Sequence, residues 1–305
     1  MRSKKNVLVS VVGPTAVGKT ALAIDLAKNY QTEIISADSR QFYREMKIGT
    51  AKPDESELAA APHHFINSHS IDEYYSVGMF EKDALQLLER LFTEHKVVIA
   101  VGGSGLFFKA LWEGLDEMPE VVPGIREELN GIFQTEGLQP LLDELKNRDP
   151  EYYDQVDRQN HQRVIRALEV IRSSGKSFTS FRKGHVAVQR DFTNIKIGLN
   201  MDREILFDRI NRRMDIMIDQ GLFEEAESLI QYKDHNALQT VGYSEIFSYL
   251  EGEYDREEAI RLLKRNSRRY AKRQLTWFRK DPEIKWYEPN QIDEMIRLID
   301  EQLNA

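Results

Sequence analysis

The chain contains no cysteine. Disulfides, zinc knuckles, iron–sulfur clusters and thiol nucleophiles are thereby excluded, and the absence suits a reducing compartment. No apolar run approaches the roughly 18 residues that a membrane-spanning helix needs. The opening Met1-Arg2-Ser3-Lys4-Lys5 is basic, but a short strand-like run ending in Gly13-Pro14 follows it, not the longer apolar core of a secretion signal. A cytoplasmic protein is expected. No internal repeat or low-complexity tract occurs. With 305 residues, 41 % hydrophobic and 30 % charged, the chain fits one large globular domain, or one domain carrying a smaller insertion.

The net charge of −8 argues, taken alone, against a nucleic-acid partner, but the charge is segregated. Residues 256–280 hold ten Lys/Arg against two Glu, and residues 158–190 hold eight against one. Such segregation gives either basic surfaces on an acidic body or solvated helix faces that neighbours neutralise.

Asn6–Val12 is a continuous apolar, β-branched run and reads as a buried parallel strand. Glu33–Ser36, Val97–Val101, Ile195–Leu199 and Ile284–Tyr287 read as further strands. Helical spacing covers Thr20–Tyr30, Met79–His95, a stretch from Leu106, and later 202–219, 222–232, 243–250, 256–279 and 290–303. The alternation predicts an α/β fold, a parallel sheet with helices on both faces. Between Pro119 and Arg190 strand-like runs vanish, and Pro119, Pro123 and Gly124 mark the change. The expected organisation is a core of 1–118 and 191–305 with an all-helical insertion at 119–190.

Gly13-Pro14-Thr15-Ala16-Val17-Gly18-Lys19-Thr20 matches G-x-x-x-x-G-K-[ST] between a strand and a helix. Its backbone N–H groups and the helix N-terminus suit phosphate oxygens. Lys19 adds a point charge, and the Thr20 hydroxyl can reach a magnesium ion among the phosphates. The bland alternative is a structural glycine-rich turn. By itself the loop indicates a di- or triphosphate ligand, ATP included. The strand 97–101 ends in Gly102-Gly103-Ser104 without the aspartate usual in phosphoryl-transfer enzymes. Asp38, after Glu33–Ser36, is the strand-end carboxylate placed near the loop. An N-cap, a magnesium ligand and a general base are equally open to it. Ser39, Arg40 and Gln41 add groups that could read a polar ring, and Arg40 could anchor a phosphate.

The blocks GPTAVGKT, IISADSRQFY (34–43), MKIGTAKP (46–53), VGGSGLF (101–107), LQTVGYSEI (238–246) and RRYAKRQLTWFR (268–279) closely resemble the tRNA dimethylallyltransferases, also called tRNA isopentenyltransferases. The resemblance spans nearly the whole chain. It implies transfer of a dimethylallyl group from dimethylallyl pyrophosphate to the N6 amine of the adenosine 3′-adjacent to the anticodon. The phosphate loop, with Arg213, would hold pyrophosphate. Asp38 would be the catalytic base, assisted by Lys19 and Thr20. Asp38, Ser39, Arg40, Gln41, Ser104, Arg126 and the segment Gln162-Arg163-Val164-Ile165-Arg166 would contact the anticodon stem-loop. Magnesium would be the cofactor, and no obligate protein partner is implied. Ser104 replaces the usual Thr, Phe107 stands where Tyr is common and Phe42 where Val or Leu is common. The cysteine-dependent zinc extension of eukaryotic members is missing, which implies the bacterial type.

The chemistry suits these residues. An exocyclic amine is a poor nucleophile, so a base must take its proton while cations stabilise the departing pyrophosphate. Prenyl synthases use Asp-Asp-x-x-Asp motifs for that task. No two aspartates are adjacent here, which leaves it to the phosphate loop. Residues 268–279 interleave basic and aromatic side chains, with Trp277 and Phe278 expected to face the core. His63, His64 and His69 are expected in a surface loop. Rival readings are prenylation of a free adenine nucleotide, a phosphoryl-transfer kinase and a non-enzymatic RNA-binding module.

Overall fold

The computed structural model describes residues 6–182 and 188–304. The basic opening residues and 183–187, part of the basic 158–190 stretch, lie outside them. Among the described residues six parallel strands form one sheet in the order β3-β2-β4-β1-β5-β6. They are β1 (Val7–Val12), β2 (Ile34–Ser36), β3 (His63–His64), β4 (Val97–Gly102), β5 (Thr193–Leu199) and β6 (Lys285–Tyr287). Side chains alternate between faces along a strand. Val7, Val9 and Val11 join a cluster with Leu22 and Leu26 of helix Lys19–Tyr30 and Met295 and Ile299 of helix Ile292–Asn304. Leu8 and Val12 join Phe80, Leu88 and Leu91 of helix Val77–Glu94 and Phe108 and Leu111 of helix Gly105–Glu113. Helices cover both faces, so every residue of β1 and β4 is buried and nearly all are apolar; the exception in β1, Ser10, donates its hydroxyl to Asn194 Oδ1 at 3.0 Å. The fold is the α/β arrangement expected.

Two elements escaped the sequence reading. Helix Glu55–Ala60 starts with a capping box between Asp54 and Glu57. β3 then pairs with β2, Ile34 beside His63 and Ile35 beside His64. The histidines are therefore not plain surface-loop residues. His64 Nε2 lies 2.5 Å from Glu33 Oε2, and the His69 ring stacks on Tyr75 at 3.7 Å. A second correction concerns Trp277 and Phe278. Phe278 is 1 % exposed but Trp277 is 40 % exposed, because successive helical residues point about 100° apart.

A third apolar cluster draws on helices Arg203–Asp219, Leu222–Ser228, Ser244–Leu250 and Arg256–Phe278. Its polar centre is Glu225, which accepts the N–H groups of Lys47, Ile48 and Gly49 at 3.0, 2.8 and 2.9 Å and the Tyr243 hydroxyl at 2.6 Å. A Cβ at residue 49 would lie 2.5 Å from the Tyr243 ring, so the 46–53 loop can dock only through glycine. Glu225→Ala strands these donors. We expect it to lower the unfolding free energy by about 1.5–3 kcal/mol, read as an earlier midpoint in urea.

Chain contacts divide the molecule into two compact units, Met1–Trp112 with Gln189–Ala305, and Glu113–Val188. The second is helical: Ile125–Glu136, Gln139–Arg148, Pro150–Gln155 and His161–Ser174, with a core that includes Leu129, Leu145, Val164 and Leu168.

Candidate active site

β1 delivers the chain to the phosphate loop at the C-terminal edge of the sheet. Gly13 (φ 146°) passes so close to β5 that a Cβ would sit 2.6 Å from the Leu199 carbonyl oxygen. Ala16 takes a left-handed backbone (φ 64°) that costs a non-glycine residue energy. Arg209 Nε donates to the Ala16 carbonyl at 2.9 Å and steadies it. Gly18 (φ 111°) opens helix Lys19–Tyr30, whose N-terminus faces the cleft, a placement that favours anions. The Lys19 ammonium donates to the Pro14 carbonyl at 2.7 Å.

Asp38 follows β2. The Ala37 N–H donates to the Val101 carbonyl at 2.8 Å, and a Cβ on Gly102 would meet the Ala37 carbonyl oxygen at 2.3 Å. Glycine at 102 thus lets the two strand ends close together. Asp38 Oδ1 accepts the Arg40 N–H at 3.0 Å, an Asx turn that aims the carboxylate. Ser104 Oγ accepts the Ser39 N–H at 3.0 Å and donates to Ser39 Oγ at 3.2 Å, so serine supplies the hydroxyl this contact needs. Gln41 accepts from Ser36 Oγ at 3.1 Å and donates to the Ala51 carbonyl at 3.2 Å. Phe42 and Phe107 pack together with ring centroids 5.5 Å apart.

Thr15, Lys19, Thr20, Asp38, Arg40 and Gln41 line one cleft. Arg213, on helix Arg203–Asp219, closes it, with its guanidinium 3.4 Å from both Thr15 Oγ1 and the Ala51 carbonyl oxygen. Burial pushes the Lys19 ammonium down to about 8, against the pull of Asp38 and with the push of Arg213. Burial likewise lowers Arg213 and Arg40, with Asp38 opposing it in each. Three desolvated cations against one carboxylate leave a positive excess suited to an anion. Ile66, Ile210, Met214 and Met217 give the cleft an apolar wall. His63, expected in a surface loop, also lines it, as do Tyr270 and Gln274, to which the sequence reading assigns no role in the cleft. A usable signal existed for the last two. Ser267, Tyr270 and Gln274 share one helical face, on which Ser267 and Gln274 are buried polar residues.

Arg126, Gln162 and Arg166 meet within the helical unit. Glu169 Oε2 accepts from Arg126 at 3.2 Å and Arg166 at 2.7 Å, and Gln162 Oε1 accepts from Arg126 at 3.0 Å. Arg163 is exposed, whereas Val164 and Ile165 are fully buried in that unit's core. Among the described residues no group of three or more His, Asp or Glu could hold a metal ion, and no helix is long and apolar enough to cross a membrane.

Residues 41–281 match the model of the IPP transferase family. The tRNA dimethylallyltransferase of Cytophaga hutchinsonii is 54 % identical over 97 % of both chains, and that of Christiangramia forsetii 56 % identical over 93 % of both. Among solved structures, the tRNA isopentenylpyrophosphate transferase of Bacillus halodurans superposes with a TM-score of 0.72 at 38 % identity, over 99 % of this chain and 97 % of its own. With the family model matching most of the chain and these relatives matching nearly all of it, the chain belongs to the IPP transferase family of tRNA dimethylallyltransferases.

Proposed function

We propose that this protein transfers the dimethylallyl group of dimethylallyl pyrophosphate to the N6 amine of the adenosine 3′-adjacent to the anticodon of tRNA, in the cytoplasm. The observation that carries the reading is a single cleft in which Lys19, Arg213 and the phosphate loop stand beside one carboxylate, Asp38, and an apolar wall. The cations take the pyrophosphate and Ile66, Ile210, Met214 and Met217 take the five-carbon chain. The adenine must leave its stack to enter. As the new nitrogen–carbon bond forms, the allylic carbon–oxygen bond breaks and its electron pair goes to the bridging oxygen. Asp38 accepts the proton from the amine.

Magnesium fits this donor set as a partner of the pyrophosphate. Among the described residues no carboxylate cluster competes for it, and the Thr20 hydroxyl would hold it together with phosphate oxygens. When bound, it adds charge neutralisation at the leaving group. Ser39, Arg40, Gln41 and Ser104 border the carboxylate and would steady the looped-out base. Arg126, Gln162, Arg163 and Arg166 would meet the anticodon stem-loop, as would Arg269, Lys272, Arg273 and the exposed Trp277, which share one shallow groove.

The test incubates the protein with magnesium, dimethylallyl pyrophosphate and unmodified tRNA, alongside AMP and ATP as rival substrates. Mass spectrometry of the digested RNA is expected to show one five-carbon unit on the predicted adenosine. Unaltered tRNA with prenylated AMP, or ATP consumed to phosphorylate an acceptor, replaces this reading with a rival.

A further inference from the structure

We infer that Gln274 is a positioning residue that sets the shape of the phosphate loop and ties it to the carboxylate side of the cleft, an inference that rests on the loop's proposed role as the pyrophosphate site. Gln274 lies on helix Arg256–Phe278 and is 6 % exposed. Its one amide makes two bonds to parts of the chain far apart in sequence. Oε1 accepts the Thr15 N–H of the loop at 2.8 Å. Nε2 donates to the Gly103 carbonyl, just past β4, at 3.0 Å. The next residue, Ser104, holds Ser39 beside Asp38.

The contact is built tightly. A Cβ on residue 103 would fall 2.1 Å from Gln274 Nε2, and one on residue 105 would fall 2.1 Å from Trp277 Cδ1, one helical turn further on. Side chains at 103 and 105 would thus collide with this helix. The amide is also chemically demanded. Thr15 offers a donor and Gly103 an acceptor, so the bridge needs one acceptor and one donor at the end of a three-carbon stem. An ionised glutamate cannot donate to the Gly103 carbonyl, methionine can serve neither partner, and asparagine is one carbon short.

The bridge withdraws the Thr15 N–H from the phosphate cradle and holds the strained Ala16 turn that follows. The loop therefore reaches its binding shape before any ligand arrives, which removes an ordering cost from donor binding. The same bond fixes the spacing between the leaving-group side and the base side, where about 1 Å of error costs roughly 100-fold in rate.

The test measures magnesium pyrophosphate binding by calorimetry, tRNA binding by filter retention, and kcat, for wild type, Gln274→Met and Gln274→Glu. Both variants are expected to bind pyrophosphate about tenfold more weakly and to lose roughly 100-fold in kcat, with tRNA affinity and a cooperative thermal transition retained. Gly103→Ala attacks the same contact from the other side, leaves the helix intact and is expected to repeat the pattern. It carries the test if the position-274 variants do not melt cooperatively. Pyrophosphate affinity and kcat within twofold of wild type overturn the inference. So does a parallel loss of tRNA affinity, which marks general packing. Wild-type protein that ignores pyrophosphate overturns instead the reading of the loop on which the inference rests.

Discussion

Asp38→Ala is expected to lower kcat for prenyl transfer by roughly 10²- to 10⁴-fold, the range for losing a general base, with tRNA affinity nearly unchanged. On the proposed reading the amine proton goes to Asp38, the only acidic side chain among the described residues that line the cleft. Its second duty, accepting the Arg40 N–H at 3.0 Å, separates two explanations of any loss. Asp38→Asn keeps an oxygen for that turn and cannot take a proton. Equal losses in the Ala and Asn variants identify proton transfer as the missing function. Activity retained in the Asn variant alone would reduce Asp38 to a turn-former and sink its assignment as base. Single-turnover rates with saturating tRNA and donor make the comparison independent of product release.

Lys19→Ala is expected to cost roughly 10²- to 10³-fold in kcat, the effect of deleting one preorganised group that stabilises developing negative charge. The Lys19 ammonium titrates near 8 because burial disfavours its charge. On the proposed reading only the protonated form would stabilise the departing pyrophosphate. In the wild type, kcat/KM for the donor therefore falls as pH rises through about 8. In kcat itself the fall moves to higher pH, because the bound anion favours the ammonium. Lys52 is a second lysine that burial holds near 8, but it serves the Tyr43 carbonyl and Asn67 Oδ1. Lys19→Ala is thus expected to abolish the alkaline limb. A limb that persists unchanged in that variant would assign it to another group.

Elements with a local chemical signature were legible in the sequence. β1 and β4 announce themselves because both faces are covered and nearly every position is apolar, Ser10 being the polar exception in β1. The phosphate loop has a fixed pattern of glycine, lysine and threonine, and Asp38 stands at a strand end. What stayed hidden depends on partners distant in sequence. β3 is two residues long, too short for a period, and exists because Ile34 and Ile35 offer it an edge. The bond from Thr15 to Gln274 spans 259 residues, and nothing near either residue encodes the other. Arg126 and Arg166 look alike as free basic side chains in the sequence, yet they share one carboxylate of Glu169. Val164 and Ile165 fall inside a segment read as an RNA contact because a contiguous stretch of helix necessarily turns some residues inward.

The strand order has a consequence for how the protein comes off the ribosome. β1 is synthesised first, but its neighbours end at Gly102 and Leu199, and the far edge is complete only at Tyr287. The central strand of the sheet therefore emerges without a mate, gaining its first neighbour only when Gly102 is made and its second only when Leu199 is made. The helical segment between Glu113 and Val188, whose core is drawn from its own residues, can collapse meanwhile by short-range contacts, which form fastest. The nascent chain thus carries an exposed, aggregation-prone Val-Leu-Val-Ser-Val-Val stretch until those neighbours are made.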